Sequence, residues 1–212
     1  VFLPGQADIK RCLADAESIF SEQHNIVFLP LYGALSIEQQ ERALVVDPQG
    51  KRRVIFTTNI AETSLTIEGI TCVIDSGLEK AVVYDPGSNM TRLETNYISK
   101  TSAEQRKGRA GRLQEGRCIR LWSESKHNSL FDFQVEEICS ADLSNILLEL
   151  SVWGQADYDD INWLTAPSKS NYDTAKQVLI SLGLLNESGK VTDLGNRASK
   201  FGLEPRLATM LL

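Results

Sequence analysis

At 212 residues, with 42% hydrophobic and 24% charged side chains, the chain has material for one large domain or two smaller ones. It contains no apolar run of the roughly 18 residues needed to cross a membrane, and its formal net charge of −6 argues against indiscriminate binding to nucleic acid. Cys12, Cys72, Cys118 and Cys139 stand far apart without a C-x-x-C pair, and His24 and His127 lack a metal-ligand partner at useful spacing. No zinc site, disulfide framework or other metal is therefore expected; both histidines read as surface residues, and a reducing cytoplasm is the expected compartment.

Val1–Pro4 reads as a buried strand ending at Gly5, and V-F-L-P opens like the middle of an element without an initiator Met. Asp8, Lys10 and Arg11 interrupt any secretory apolar stretch, so the expectation is a piece of a longer chain. Ile9, Leu13, Ala16, Ile19 and Phe20 repeat at helical spacing, and Ile26–Leu31 is short enough for a strand. Ser36 begins a helix running through Gln39 to about Leu44, and Asp47–Gly50 is turn material. Arg53–Thr57 and Thr71–Asp75 are the next strands, with a turn and a short helix between them. Strands alternating with helices imply a parallel sheet covered on both faces, with ligands gathering at the strands' carboxyl ends.

Glu79–Tyr84 and Met90–Tyr97 then predict a β-hairpin around Asp85-Pro86-Gly87-Ser88-Asn89, placed to project from the sheet. Gly116–Trp122 is the last strand, and the alternation ends near Ser123–Phe133, where a domain boundary is expected. Beyond it come helices over Ser140–Val152 and Tyr172–Leu182, the latter closed by Gly183. A small hairpin follows over 184–192, then a helix capped by Asp193 and another opened by Pro205; helices around a two-stranded wing suggest a winged-helix module.

Charge is uneven along this order. Residues 1–130 hold 16 basic and 16 acidic groups, whereas residues 131–212 hold 6 basic and 12 acidic. Seven cations (Lys100, Arg106, Lys107, Arg109, Arg112, Arg117, Arg120) fall within 100–120 against Glu104 and Glu115, so an anion site is local to the first part. Its centre is S-A-E-Q-R-K-G-R-A-G-R at Ser102–Arg112. A helix started by Ser102 would set Gln105, Arg109 and Arg112 on one face. Gly108 and Gly111 would each cost such a helix about 1 kcal/mol relative to Ala, so close approach of another surface, not stability, explains them. The plain alternative is a solvated basic face. A second stretch, T-T-N-I-A-E-T-S-L-T-I at Thr57–Ile67, follows directly on a strand, as a simple strand-to-helix turn or as a helix start presenting N–H groups to an anion.

T-N-I-A-E-T-S-L-T-I and Q-R-K-G-R-A-G-R together resemble motifs V and VI of the DEAH-box ATP-dependent RNA helicases, and V-F-L-P-G-Q resembles motif IV. R-L-E-T at Arg92–Thr95 and L-E-L-S-V-W-G around Trp153 resemble the bacterial HrpB-type branch. The resemblance covers essentially the whole chain. It implies an α/β fold: a RecA-like parallel sheet with helices on both faces over residues 1–132, then a winged helix over 133–203 and the start of a helical domain over 204–212. It implies the second half of an ATP-driven motor that translocates along RNA. Arg109 and Arg112 match arginine fingers, Gln105 the residue that positions the attacking water, and Ser64 the residue that senses the nucleotide. Thr66 and Glu68 fall on the nucleotide side. Gly5, Gln6, Thr58 and Asn59 match positions gripping the backbone of single-stranded RNA. ATP with Mg²⁺ is the implied cofactor, bound against the first RecA-like domain of the same chain.

Two positions depart from the pattern: Leu44 stands where relatives stack an aromatic on adenine, and Glu68 where some place Asp on the ribose, so loose base selectivity is expected. No G-x-x-x-x-G-K-[ST] or D-E-x-H occurs, and the resemblance puts the phosphate loop and Mg²⁺ ligands upstream; this chain alone is expected to be inactive. The alternatives are a non-catalytic RNA- or protein-binding module of a degenerate helicase, and an acidic winged helix that mainly contacts protein. Trp153 and Trp163 are expected in the core. Nothing in the sequence demands an oligomer, so a monomer is expected.

Overall fold

The computed structural model describes residues 1–63, 67–85, 90–111 and 115–212. The chain divides into two compact units, one of residues 1–81 and 94–134, the other of residues 82–93 and 135–212.

In the first unit, α1 (Gln6–Ile19), β1 (Ile26–Leu31), α2 (Ile37–Leu44), β2 (Arg52–Thr57) and β3 (Cys72–Asp75) follow the expected alternation. β1 and β2 pair in parallel, from Ile26 opposite Arg52 to Leu31 opposite Thr57. β3 pairs in parallel with β6 (Arg117–Arg120). The opening residues join these pairs without forming the full strand expected over Val1–Pro4. Phe2 makes single parallel bridges to Thr57 and Asp75. Its N–H donates to the Ile74 carbonyl at 2.8 Å, and the Leu3 N–H donates to the Thr57 carbonyl at 2.8 Å.

The period of two along a strand separates two cores. Leu29, Leu31 and Ile55 pack with Phe2, Ala43, Ala61 and Val73 on the face that α2 covers, while Phe28, Val54 and Phe56 pack with Ile9, Leu13 and Tyr32 on the face that α1 covers. α2 starts where expected, on a reciprocal capping box between Ser36 and Gln39. Leu44, at its last turn, packs against the first of these cores.

β4 (Leu78–Asp85) and β5 (Met90–Tyr97) form a two-stranded sheet, as the hairpin reading expects; its turn at 86–89 lies outside the described residues. α3 (Lys100–Lys107) is capped by Ser99, whose hydroxyl accepts from the Ser102 N–H, and not by Ser102. Its first turn is tied to the segment after α4 (Glu124–Asn128): the Lys100 and Thr101 N–H groups donate to the Phe131 and Asp132 carbonyls at 2.8 and 3.1 Å. His127, expected on the surface, is half-buried with its ring centroid 6.3 Å from that of Trp122.

The second unit is mainly helical: α5 (Glu137–Ser140), α6 (Ser144–Val152), α7 (Lys169–Ser181), α8 (Asp193–Ser199) and α9 (Pro205–Leu211). The helix expected over Ser140–Val152 is thus divided, because Asp142 turns the chain by accepting from the Ser144 N–H at 2.9 Å. α7 ends as expected before Gly183, whose φ of 72° suits a residue without a Cβ. Leu185 bridges Val191 in antiparallel sense to make the small wing. The cap of α8 is Thr192, not Asp193: its hydroxyl accepts from the Gly195 N–H at 3.0 Å. Leu143, Leu147, Leu148, Tyr172, Leu179, Leu184 and Leu185 form the core of this unit, with Trp163 against it. Trp163 keeps to its expected place, donating to the Tyr158 carbonyl at 3.2 Å, but Trp153 is 75% exposed.

Candidate functional site

The described candidate residues of the first unit lie on three segments: the start of α1, the turn after β2, and α3 with the turn that follows it. β2 ends at Thr57, beside Leu3; Gly5 caps α1 two residues later in one branch, and Thr58 and Asn59 lead into a short 3₁₀ turn (Asn59–Ala61) in the other. Gly5 is buried against the Lys80 side chain, where an added Cβ would lie 2.9 Å from the Lys80 Cε. Gln6 is exposed, and its side-chain amide donates to the Tyr32 hydroxyl at 3.2 Å. Asn59 is exposed and Thr58 half-buried. Ser64, Thr66 and Arg112 lie outside the described residues. Glu68 is exposed, with its carbonyl accepting from Arg53 Nη2 at 2.5 Å.

The helix expected to carry Gln105, Arg109 and Arg112 on one face ends before Arg109, and Arg112 lies outside the described residues. α3 ends at Lys107, with Gly108 as its C-cap. The Arg109 and Ala110 N–H groups then donate to the Arg106 and Lys107 carbonyls at 3.1 Å each, a tighter turn than that of the α-helix. Gln105 is exposed on α3, and Arg109 is half-buried with Nε donating to the Glu62 carbonyl at 2.9 Å and Nη2 donating to the same oxygen.

The cations of this stretch are mostly committed to carboxylates. Lys100 pairs with Asp132 at 2.8 Å, while Lys107 and Arg120 pair with Glu104 at 3.0 and 2.6 Å. Hydrogen bonds from Arg120 first, then Lys107, hold the Glu104 carboxyl below its ordinary range. Arg106, read in sequence as one more cation, is the largest fully buried side chain described. Its Nε donates to Glu62 Oε2 at 2.9 Å, and its Nη1 donates to Asp75 Oδ1 at 3.0 Å and to the Leu78 carbonyl at 3.2 Å. The guanidinium carbon lies 5.0 Å from the Phe2 ring centroid. The other oxygen of Glu62 accepts from the Ser102 hydroxyl at 2.6 Å.

Glu62, Asp75, Ser102 and Arg106 are therefore the residues that sequence reasoning missed. The available signal was the buried face of α3: Ser102, Ala103 and Arg106 share it, two small residues beside one very large one. A buried guanidinium needs carboxylate partners: Asp75 ends β3, the strand that α3 packs on, and Glu62 closes the 3₁₀ turn after β2. Burial pushes the neighbouring Glu79 carboxyl above its ordinary range; Arg106 pulls it down and Glu62 pushes it further up. Among the described residues, no group of three or more His, Cys, Asp or Glu side chains is placed to hold a metal ion, and no helix is long and apolar enough to cross a membrane.

Residues 1–114 match the model of the helicase conserved C-terminal domain, and residues 177–203 match that of the helicase-associated (HA2) winged-helix domain. The whole chain is 40% identical to the ATP-dependent RNA helicase HrpB of Escherichia coli (strain K12) and 37% identical to the probable ATP-dependent RNA helicase DHX34 of Homo sapiens. It covers 26% and 18% of those two proteins, so it spans at most about a quarter of the curated relatives it matches. A crystal structure of the E. coli DExH-box NTPase HrpB superposes on 99% of this chain with a TM-score of 0.89 at 41% identity, the chain covering 26% of that structure. A second, of the E. coli DEAH/RHA helicase HrpB, gives a TM-score of 0.93 at 40% identity and the same coverage. With its parallel α/β sheet, its buried Arg106 and these likenesses running end to end, the chain belongs to the helicase conserved C-terminal domain family.

Proposed function

We propose that this chain is the second half of the motor of an ATP-dependent RNA helicase. Residues 1–132 act as the second RecA-like domain, residues 133–203 as the winged helix and residues 204–212 as the start of a helical domain. ATP binds between residues 1–132 and the first RecA-like domain of the same protein. Arg109 and Arg112 face the phosphates and stabilise the charge that develops on the transferred group. Gln105 orients the attacking water, Ser64 reports the nucleotide state, and Thr66 and Glu68 stand beside the ribose. Gly5, Gln6, Thr58 and Asn59 hold the backbone of single-stranded RNA, which gives affinity without reading sequence. Mg²⁺ ligands belong to the first domain.

One observation carries this reading. Arg109 of motif VI is docked on the Glu62 carbonyl of motif V, at the end of the sheet where phosphate would sit. A guanidinium held in place by the backbone is a preorganised donor, and one turned toward solvent on a helix is not. Hydrolysis supplies the energy for movement along RNA, and both depend on these fingers.

The test is ATP hydrolysis by the full-length protein with and without single-stranded RNA, beside its Arg109→Ala and Arg112→Ala variants. RNA should stimulate the parent, and each variant should lose on the order of 10³-fold in kcat. Unchanged hydrolysis in both variants would sink the finger assignment. The 212-residue chain alone should hydrolyse no ATP, since it contains neither a Walker A nor a D-E-x-H sequence.

A further inference from the structure

Glu62 is engaged at both its ends. Its side chain is 9% exposed, and the carboxylate accepts from the Ser102 hydroxyl at 2.6 Å and from Arg106 Nε at 2.9 Å. Its backbone carbonyl accepts from Nε and Nη2 of Arg109. Arg106 and Arg109 are themselves linked by the turn that closes α3, in which the Arg109 N–H donates to the Arg106 carbonyl at 3.1 Å. The result is a closed ring: Glu62 side chain, Arg106, the turn, Arg109, Glu62 carbonyl. Arg106 is fixed in turn by Asp75 at 3.0 Å and by the Leu78 carbonyl at 3.2 Å, at the far end of β3.

We propose that Glu62 is the positioning residue of Arg109, with Ser102 and Arg106 as the clamps that hold Glu62 still. The inference rests on the reading of Arg109 as a phosphate-facing finger. A peptide carbonyl in a short turn can swing, and a guanidinium on a flexible stem can sample many rotamers. Clamping the Glu62 side chain stops the first, and two N–H donors aimed at one fixed oxygen stop the second. The finger is then ordered before nucleotide arrives, so its ordering entropy is not charged against the transition state. Arg106 belongs to this support: it is fully buried and directed at carboxylates, so it meets no nucleotide.

The experiment uses the full-length protein and a double-mutant cycle on RNA-stimulated ATP hydrolysis. Glu62→Gln removes the charge that grips Arg106. Ser102→Ala removes one clamp and leaves all buried charges paired, so it serves even if the first variant fails to fold. Ser102→Ala should lower kcat several-fold and Glu62→Gln roughly tenfold or more, with KM for ATP and affinity for single-stranded RNA unchanged. Combined with Arg109→Ala, neither should lower kcat further, because the finger they position is gone.

Losses that multiply in the double variants would overturn the positioning role and leave the finger assignment intact. A Ser102→Ala variant with parental kcat would do the same. If Arg109→Ala alone keeps parental hydrolysis, the finger reading falls and this inference falls with it.

Discussion

The first unit excludes from water a guanidinium, three carboxyl groups and the hydroxyls of Thr57, Ser99 and Ser102. The core of the second unit is ten buried residues, all apolar except for the Tyr172 hydroxyl, which donates to the Ala156 carbonyl at 3.0 Å; its other buried side chains with polar atoms, among the described residues, are Tyr84, Ser144 and Ser151. Burying ions costs several kcal/mol each unless geometry is nearly perfect; among the described residues, Asp75 Oδ2 and Arg106 Nη2 are buried without a hydrogen-bond partner. The contrast teaches that the first unit keeps a network which fixes directions in space, at some expense in stability, while the second unit is a packing problem.

Breaking the charged core should therefore have the largest effect. Arg106→Met removes the guanidinium paired with the buried Glu62 and Asp75 carboxylates and should destabilise the first unit by about 3–5 kcal/mol. Denaturant unfolding of the purified chain measures it. A cost below about 1 kcal/mol would mean that the ions are not coupled to the fold and the contrast between the units is empty. In the second unit the matching change is Leu179→Ala, at a side chain with no exposure in the middle of α7. About 3 kcal/mol is expected, from lost burial and a cavity lined by leucines. Both variants should show normal urea dependence of the untouched unit, which separates the two cores experimentally.

The same contrast explains what could be read from sequence. The second unit was legible nearly throughout, because leucine periodicity, the Gly183 stop and the Pro205 start act locally. Two local errors there are cap choices: Thr192 precedes Asp193, and Asp142 interrupts the leucine repeat. The parallel α/β sheet of the first unit was equally legible from its alternating strands and helices. Its site was not, because the decisive contacts span 31 to 47 residues of sequence. Ser102 looks like a cap for Gln105, but its hydroxyl goes to Glu62 and Ser99 does the capping. A shared face for Gln105, Arg109 and Arg112 needs α3 to continue past Gly108; it stops there and Arg109 sits in a tight turn, while Arg112 lies outside the described residues. Trp153 is a failure of a different kind: size alone argued for burial, yet the residue caps α6 beyond the last buried turn and stands in solvent.

The smallest effect sharpens the comparison through pH. Glu79 is 8% exposed on β4, and burial raises its carboxyl above the ordinary 4.5, with Glu62 adding to the rise and Arg106 opposing it. A carboxyl that holds its proton more tightly when folded contributes stability that is complete below pH 4.5 and is lost as pH climbs through the raised folded value. Glu104 has the opposite sign: lowered by Arg120 and Lys107, it contributes stability above pH 4.5 that disappears on acidification. Being mostly exposed, that pair is screened by solvent and salt. Glu79→Gln should thus remove a loss of stability on the neutral side of pH 4.5 and leave the acid limb unchanged, read from unfolding midpoints between pH 4 and 8. In 1 M salt the acid limb should flatten, because the Glu104 pairs are accessible to ions, while the Glu79 difference should persist, because its cause is burial. A Glu79 effect that disappears with salt would place that carboxyl among the surface charges, and the polar interior of the first unit would shrink to the Arg106 ring alone.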